Sequence, residues 1–209
     1  MKEILVFNKV SKRYLDRYVL KDFDMVVEEG EVIRLEGPNG SGKTTILKIA
    51  SGIERPSSGE VLVDGEPPWS LNAKRKLGVV MHFNMTYDEL TVRENLELFS
   101  KLYGVSMERA TRLCKEVGLD KRSMQKAMEL SFGWRKRLEL VRALLHSPKV
   151  LLLDEPFVGL DAPGKEALLN LLKEEVERGT AIIYTAPVGQ LDRVTEGERV
   201  VTLVSQPSQ

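Results

Sequence analysis

Residues 37–44, Gly-Pro-Asn-Gly-Ser-Gly-Lys-Thr, carry the G-x-x-x-x-G-K-T spacing of a loop that closes around phosphate oxygens. Glycine is required there because backbone N–H groups must turn inward where a Cβ would intrude. Lys43 supplies a point charge for the β- and γ-phosphates of a nucleotide, and the Thr44 hydroxyl suits Mg²⁺. A second pair, Asp154-Glu155, ends the apolar run that begins at Val150. Asp154 is expected to hold Mg²⁺, directly or through water, as the acidic partner of Thr44. Glu155 is expected to polarise an attacking water as general base. Alone, such a pair fits a solvated helix entry better. Paired with the loop, it points to phosphate hydrolysis.

These residues need a strand–loop–helix frame. The run 31–35 reads as a strand and 45–50 as a helix whose N-terminal dipole faces the phosphates. Further strand-like runs fall at 4–10, 23–28, 60–63, 78–82, 150–153, 181–184 and 199–204. Helical patterns alternate with them in the second half, which predicts an α/β domain with a largely parallel central sheet. The runs before residue 65, punctuated by Glu29-Gly30, Ser58-Gly59 and Asp64-Gly65, read as an antiparallel flank. Between about residues 86 and 148 the strand signal vanishes. There Thr91-Val-Arg-Glu94 forms a capping box, a second helix covers 106–117, and a third begins near Gly133 and stops before Pro148. The expectation is a single domain over 1–209 with a helical insertion and a frayed tail at 205–209.

Lys plus Arg and Asp plus Glu number 31 each, a poor footprint for nucleic-acid binding. The single cysteine, Cys114, rules out an internal disulfide and reads as a buried inert thiol. No apolar run approaches the roughly 18 residues of a membrane span, and the N-terminus lacks the shape of a secretory signal. A soluble, cytoplasmic chain without direct membrane insertion is expected.

Five segments in order carry a resemblance: Tyr14 in Val-Ser-Lys-Arg-Tyr, the loop 37–44, Gly78-Val-Val-Met-His82-Phe-Asn, Leu130-Ser-Phe-Gly-Trp134 running on to Leu145, and Leu153-Asp-Glu-Pro-Phe-Val-Gly-Leu-Asp161. Together they resemble the ATP-binding subunit of an ABC transporter over nearly the whole chain. The resemblance implies a P-loop NTPase fold: a central mostly parallel sheet, an antiparallel β flank and a helical subdomain. It implies ATP and Mg²⁺ as ligands, with Tyr14 stacking on adenine and Gly37, Pro38, Asn39, Gly40, Ser41, Gly42, Lys43, Thr44 and Thr45 around the phosphates. It implies a head-to-tail dimer in which Ser131 and Gly133 of one chain meet the γ-phosphate held by the other, with Asp161 at the interface. The implied partners are a second ABC ATPase subunit, in a homodimer or heterodimer, and a transmembrane permease subunit at the inner face of the cell membrane.

Three positions depart from the family pattern. Phe132 and Trp134 replace a glycine and a glutamine, and Trp134 either packs beside the ribose of the opposing nucleotide or covers apolar surface. His82 replaces a glutamine that contacts Mg²⁺ and water, and as an imidazole it prefers softer metals. A surface or packed histidine is an equal alternative there. Ala186 is read at the place of the switch histidine, and His146 as structural. Losing one preorganised donor costs about 100- to 1,000-fold in rate, so slow hydrolysis is expected. The leading expectation is an ATPase subunit powering transport, with an exporter favoured over an importer. The alternative is a degenerate, nucleotide-holding subunit that regulates a competent partner. The stretch Asp64–Trp69 and the cluster Lys74-Arg75-Lys76 read as solvated turns.

Overall fold

The computed structural model describes residues 2–189 and 192–204. The expected tail at 205–209 lies outside them. A three-stranded antiparallel sheet, in the order β2-β1-β4, contains β1 (Glu3–Tyr14), β2 (Arg17–Glu28) and β4 (Ser58–Val63). A five-stranded parallel sheet runs β5-β6-β7-β3-β8, from β3 (Val32–Glu36), β5 (Leu77–Val80), β6 (Val150–Leu153), β7 (Ala181–Thr185) and β8 (Arg199–Thr202). The expected α/β class is what forms.

One assignment is corrected. The run at 31–35 belongs to the parallel sheet, not to the antiparallel flank, because β3 pairs with β7 and β8. Its side chains from Val32 to Leu35 are all buried, the pattern of a strand covered on both faces.

Side-chain alternation splits the interior in two. On one face, Leu151, Leu153, Ile182, Tyr184 and Ala186 join a cluster with α3 (Val92–Tyr103), α4 (Met107–Glu116), α5 (Phe132–Leu144) and α6 (Ala162–Glu177). On the other, Ile33, Leu35, Leu152 and Ile183 meet Ile46, Leu47 and Ile49 of α1 (Lys43–Ala50) and the inner side of the antiparallel sheet. Helix α1 is thus clamped between the two sheets. A short helix, α2 (Leu71–Lys74), starts on a Ser70 cap between the two segments read as solvated turns and takes in Lys74 of the second.

The helical region follows its local signals closely. Thr91 and Glu94 form the expected capping box, and Gly104 ends α3 in the left-handed region. Helix α5 packs on β5, where a Cβ at Gly78 would come within 2.5 Å of the Ala143 carbonyl.

Candidate functional site

The strand order brings the carboxyl ends of β3, β7, β6 and β5 side by side, the edge where open α/β sheets bind ligands. The loop 37–42 leaves β3, Thr185 ends β7, Asp154 and Glu155 follow β6, and His82 follows β5. Four chain segments that lie far apart in sequence therefore meet at one edge.

The loop has the backbone that its glycines permit. Gly37, Gly40 and Gly42 have φ of 150°, 79° and 98°, the last at the N-cap of α1. A Cβ on Gly37 would stand 2.5 Å from the Leu203 carbonyl and 2.7 Å from Ser41 Oγ, so the cradle has no room for one. Pro38, Asn39 and Gly40 form the exposed arch, with Ser41 N donating to the Pro38 carbonyl at 3.2 Å. Lys43 Nζ is drawn over the loop, donating to the carbonyls of Gly37 at 2.7 Å and Pro38 at 3.0 Å. The buried Ser41 hydroxyl has no partner among the described residues, a polar atom placed where a phosphate oxygen would satisfy it.

Asp154 is buried at the centre of the cluster. Thr44 Oγ1 lies 3.2 and 3.3 Å from its two carboxylate oxygens, and Thr185 Oγ1 donates to Oδ1 at 2.8 Å. His82 Nδ1 stands 3.4 Å from Oδ2, with its ring edge-on to Phe83. Thr44 and His82 thus both approach Asp154. Among the described residues no three His, Cys, Asp or Glu side chains gather as a metal site. A hydroxyl and a carboxylate at the end of a phosphate loop nevertheless suit Mg²⁺, which keeps waters and completes its oxygen shell from phosphates.

Glu155 has φ +47°, uncommon for a residue with a side chain and costing about 1–3 kcal/mol. Its N–H donates to Thr185 Oγ1 at 2.8 Å, so one threonine orients both carboxylate residues. A cavity of about 260 Å³ opens beside them, lined by Thr44, His82, Asp154 and Glu155 and by Phe132 and Lys136 of α5. Glu139, also on this wall, is buried with Arg142 and accepts from the N–H groups of Met85 and Thr86 at 2.7 Å. It fixes the segment that follows His82.

Thr185, Lys136 and Glu139 were not legible as site residues. Thr185 had a usable signal, a polar residue at the carboxyl end of a buried parallel strand. Lys136 and Glu139 had none, since only tertiary packing brings α5 beside β6.

The remaining expected residues stand outside this cavity. Tyr14, at the end of β1, donates its hydroxyl to Glu54 and lies beneath the Lys12 ammonium, 5.0 Å from the ring centroid. Burial and the Glu54 bond push its pKa up to about 12, so the phenol stays protonated. Thr45, in the first turn of α1, is a further hydrogen-bond partner of that hydroxyl. Ser131 is the exposed N-cap of α5 and makes no side-chain cap bond, while a Cβ on Gly133 would come within 3.2 Å of the Gly159 carbonyl. The Trp134 ring is covered by Arg122 at 4.3 Å and Arg137 at 4.1 Å and packs on the helical core. Asp161 caps α6 through Gly164 N–H and pairs with Arg137 at 2.8 Å.

Ala186 lies just beyond β7, its N–H donating to the Leu35 carbonyl at 3.1 Å. It is fully buried with Ile182 and Tyr184 in the helical cluster, whereas Thr185 faces the carboxylates. The exposed Pro187 follows it, and neither residue carries a side-chain donor. His146 is held in the interior: burial pulls its pKa down to about 4, its Nε2 is 3.0 Å from the Leu77 carbonyl, and its ring stacks on Tyr103.

Comparison with known proteins places this geometry. The family model described as ABC transporter matches residues 20–158. The Nod factor export ATP-binding protein I of Burkholderia thailandensis is 39% identical over 185 residues, covering 86% of this chain and 61% of that protein. An uncharacterized ABC transporter ATP-binding protein of Bacillus subtilis is 36% identical over 190 residues, 89% of this chain and 62% of that one. The chain thus spans about three fifths of the length of these curated relatives. A dimeric ATP-binding cassette solved in a post-hydrolysis state with ADP and Pi superposes with a TM-score of 0.86 at 28% identity, covering 98% of this chain and 97% of that one. The ATP-binding subunit of an ABC transporter gives 0.82 at 30% identity over 88% and 80% of the two chains.

Proposed function

The chain belongs to the ABC transporter family, and on that premise we propose that it is an ATP-binding subunit that holds MgATP on the loop 37–45 and hydrolyses it slowly to drive transport through a separate membrane subunit. The observation that carries the hydrolytic reading is the convergence of Lys43, Thr44, Asp154 and Glu155 at one sheet edge, with Thr185 bridging the two acidic residues. Lys43 and the loop N–H groups bind the phosphates. Thr44 and Asp154 would hold Mg²⁺, which when bound supplies charge neutralisation at the β- and γ-oxygens. Glu155 accepts the proton of the attacking water. Ala186 offers no donor to the charge that develops on the γ-phosphate, which makes the reaction slow.

The site is completed by a second subunit. Ser131 stands outside the chain's own cavity at the exposed, uncapped N-terminus of α5, an anion site suited to a γ-phosphate on another chain. The dimeric relative with ADP and Pi supports this arrangement. Tyr14 would meet the adenine, and Asp161 would lie at the subunit contact. An exporter is favoured, because relatives named for export share 38–39% identity with the chain. No helix among the described residues is long and apolar enough to cross a membrane, which supports a permease as separate partner and a place at the cytoplasmic membrane face.

The missing histidine favours a second reading, a nucleotide-holding subunit that regulates a competent partner. Sedimentation velocity of Glu155→Gln with and without MgATP tests the shared basis of both. Dimerisation with ATP that is lost in Glu155→Gln/Lys43→Ala is expected. A monomer at saturating ATP would contradict the sandwich for two copies of this chain and leave the heterodimer as the surviving reading.

A further inference from the structure

Resting on the reading that this site hydrolyses MgATP, we propose that Lys136 is a positioning residue for Glu155, tying the start of α5 to the backbone of the general base in the same chain. Lys136 lies in the second turn of α5, and its ammonium donates to the carbonyl of Glu155 and, at 3.3 Å, to that of Val158. One turn earlier, the Phe132 ring lies 5.3 Å from that ammonium. The same ring packs on Gly159, where a Cβ would stand 2.5 Å from its Cδ1. A cation over two carbonyls and a ring over a glycine therefore lock α5 to the segment 155–159.

The lock acts where the backbone is strained. Glu155 sits in the left-handed region, and both polar groups of its backbone are held, the N–H by Thr185 and the C=O by Lys136 and, at 3.3 Å, by the Val158 N–H. Removing the cation leaves the carbonyl only the long bond from Val158 and unties it from α5. The residue then relaxes toward ordinary φ values and its carboxylate leaves the position next to the nucleotide. Lys136 is kept there although burial disfavours its charge, lowering its pKa to about 8 against the opposing pull of Glu155 and Asp154. Such a half-buried lysine, bonded to carbonyls rather than to a carboxylate, is a poor choice for stability alone. Because α5 begins at Ser131 and Gly133, the lock also joins the turn that would face a partner's nucleotide to the base that serves this chain's own.

The test measures ATP affinity, kcat, KM and melting temperature for wild type, Lys136→Met, Lys136→Arg and Glu155→Gln. Lys136→Met is expected to lower kcat by about ten-fold or more with KM and ATP affinity nearly unchanged. Lys136→Arg, whose guanidinium reaches the same carbonyls, is expected to recover most of the loss. A kcat for Lys136→Met within about two-fold of wild type overturns the proposal, as does a loss that Lys136→Arg fails to rescue. If the methionine variant does not fold, Lys136→Gln is judged by the same thresholds. Unchanged turnover in Glu155→Gln would overturn the hydrolytic reading and this proposal together, whereas loss in Glu155→Gln with retention in Lys136→Met overturns this proposal alone.

Discussion

A single hydroxyl, that of Thr185, donates to Asp154 and accepts from the Glu155 N–H, so the two acidic residues are oriented by one side chain. The motif residues were readable because phosphate and Mg²⁺ chemistry dictates their types. Their supports were not, since a threonine at a strand end or a lysine on a helix has many other uses. Ala186→His, which puts an imidazole donor just beyond β7, is expected to raise turnover while costing about 1–3 kcal/mol of stability, since position 186 is packed among Ile182 and Tyr184. Phosphate-release assays and denaturant melts on that variant read the two effects. Unchanged turnover in a folded Ala186→His enzyme would contradict the reading of Ala186 as the lost donor. Lys43→Ala is expected to weaken ATP binding by about 100-fold or more, read by titration calorimetry, as a charge-assisted phosphate contact is lost.

At the scale of elements, local signals located most pieces but not all boundaries. The capping box at Thr91 starts α3 as read, and Gly104 ends it. The β1 and β2 strands were read at 4–10 and 23–28, but the outer part of their hairpin was missed. Its tip, Leu15-Asp16, contains no glycine or proline, and Leu15 takes φ +51° with its side chain in solvent. Bulges at Lys9 and Asp22, both at φ +47°, further blur the alternation. The placement of β3 in the parallel sheet was hidden because pairing partners 150 residues away leave no local trace. The contact of α5 with β5 makes two predictions. Gly78→Ala should destabilise the chain by a few kcal/mol, roughly the cost of overpacking, since its Cβ would meet the Ala143 carbonyl. His146, just beyond α5, is neutral in the fold: Nε2 bonds to Leu77, Nδ1 has no partner among the described residues, and Arg142 and Arg109 oppose its protonation. Its pKa falls to about 4 from an ordinary 6.5, so its contribution is fully present above pH 6.5 and is lost as pH falls toward 4. The loss amounts to about 3 kcal/mol. Chemical denaturation at pH 7 and 4.5 should show a smaller acid penalty for His146→Phe than for wild type. Parallel losses would contradict this account.

The whole molecule is organised around helix α1, held between an antiparallel and a parallel sheet with the helices on the far face. That arrangement was legible from the order of periodic segments and from the family resemblance. It gives the loop a rigid base, because both sides of α1 are buried against strands. It also leaves Ser131, Trp134 and Asp161 outside the cavity that Thr44 and Asp154 line, a division that sequence spacing could not show. One chain therefore offers a phosphate loop at one place and an uncapped helix start at another, as a two-chain site requires. The most direct test is phosphate release at saturating MgATP by wild type and Glu155→Gln. Slow release by wild type, lowered about 100-fold or more in Glu155→Gln with ATP binding retained, is the predicted result. Equal rates for the two proteins would contradict the assignment of Glu155 as the base and, with it, the hydrolytic site.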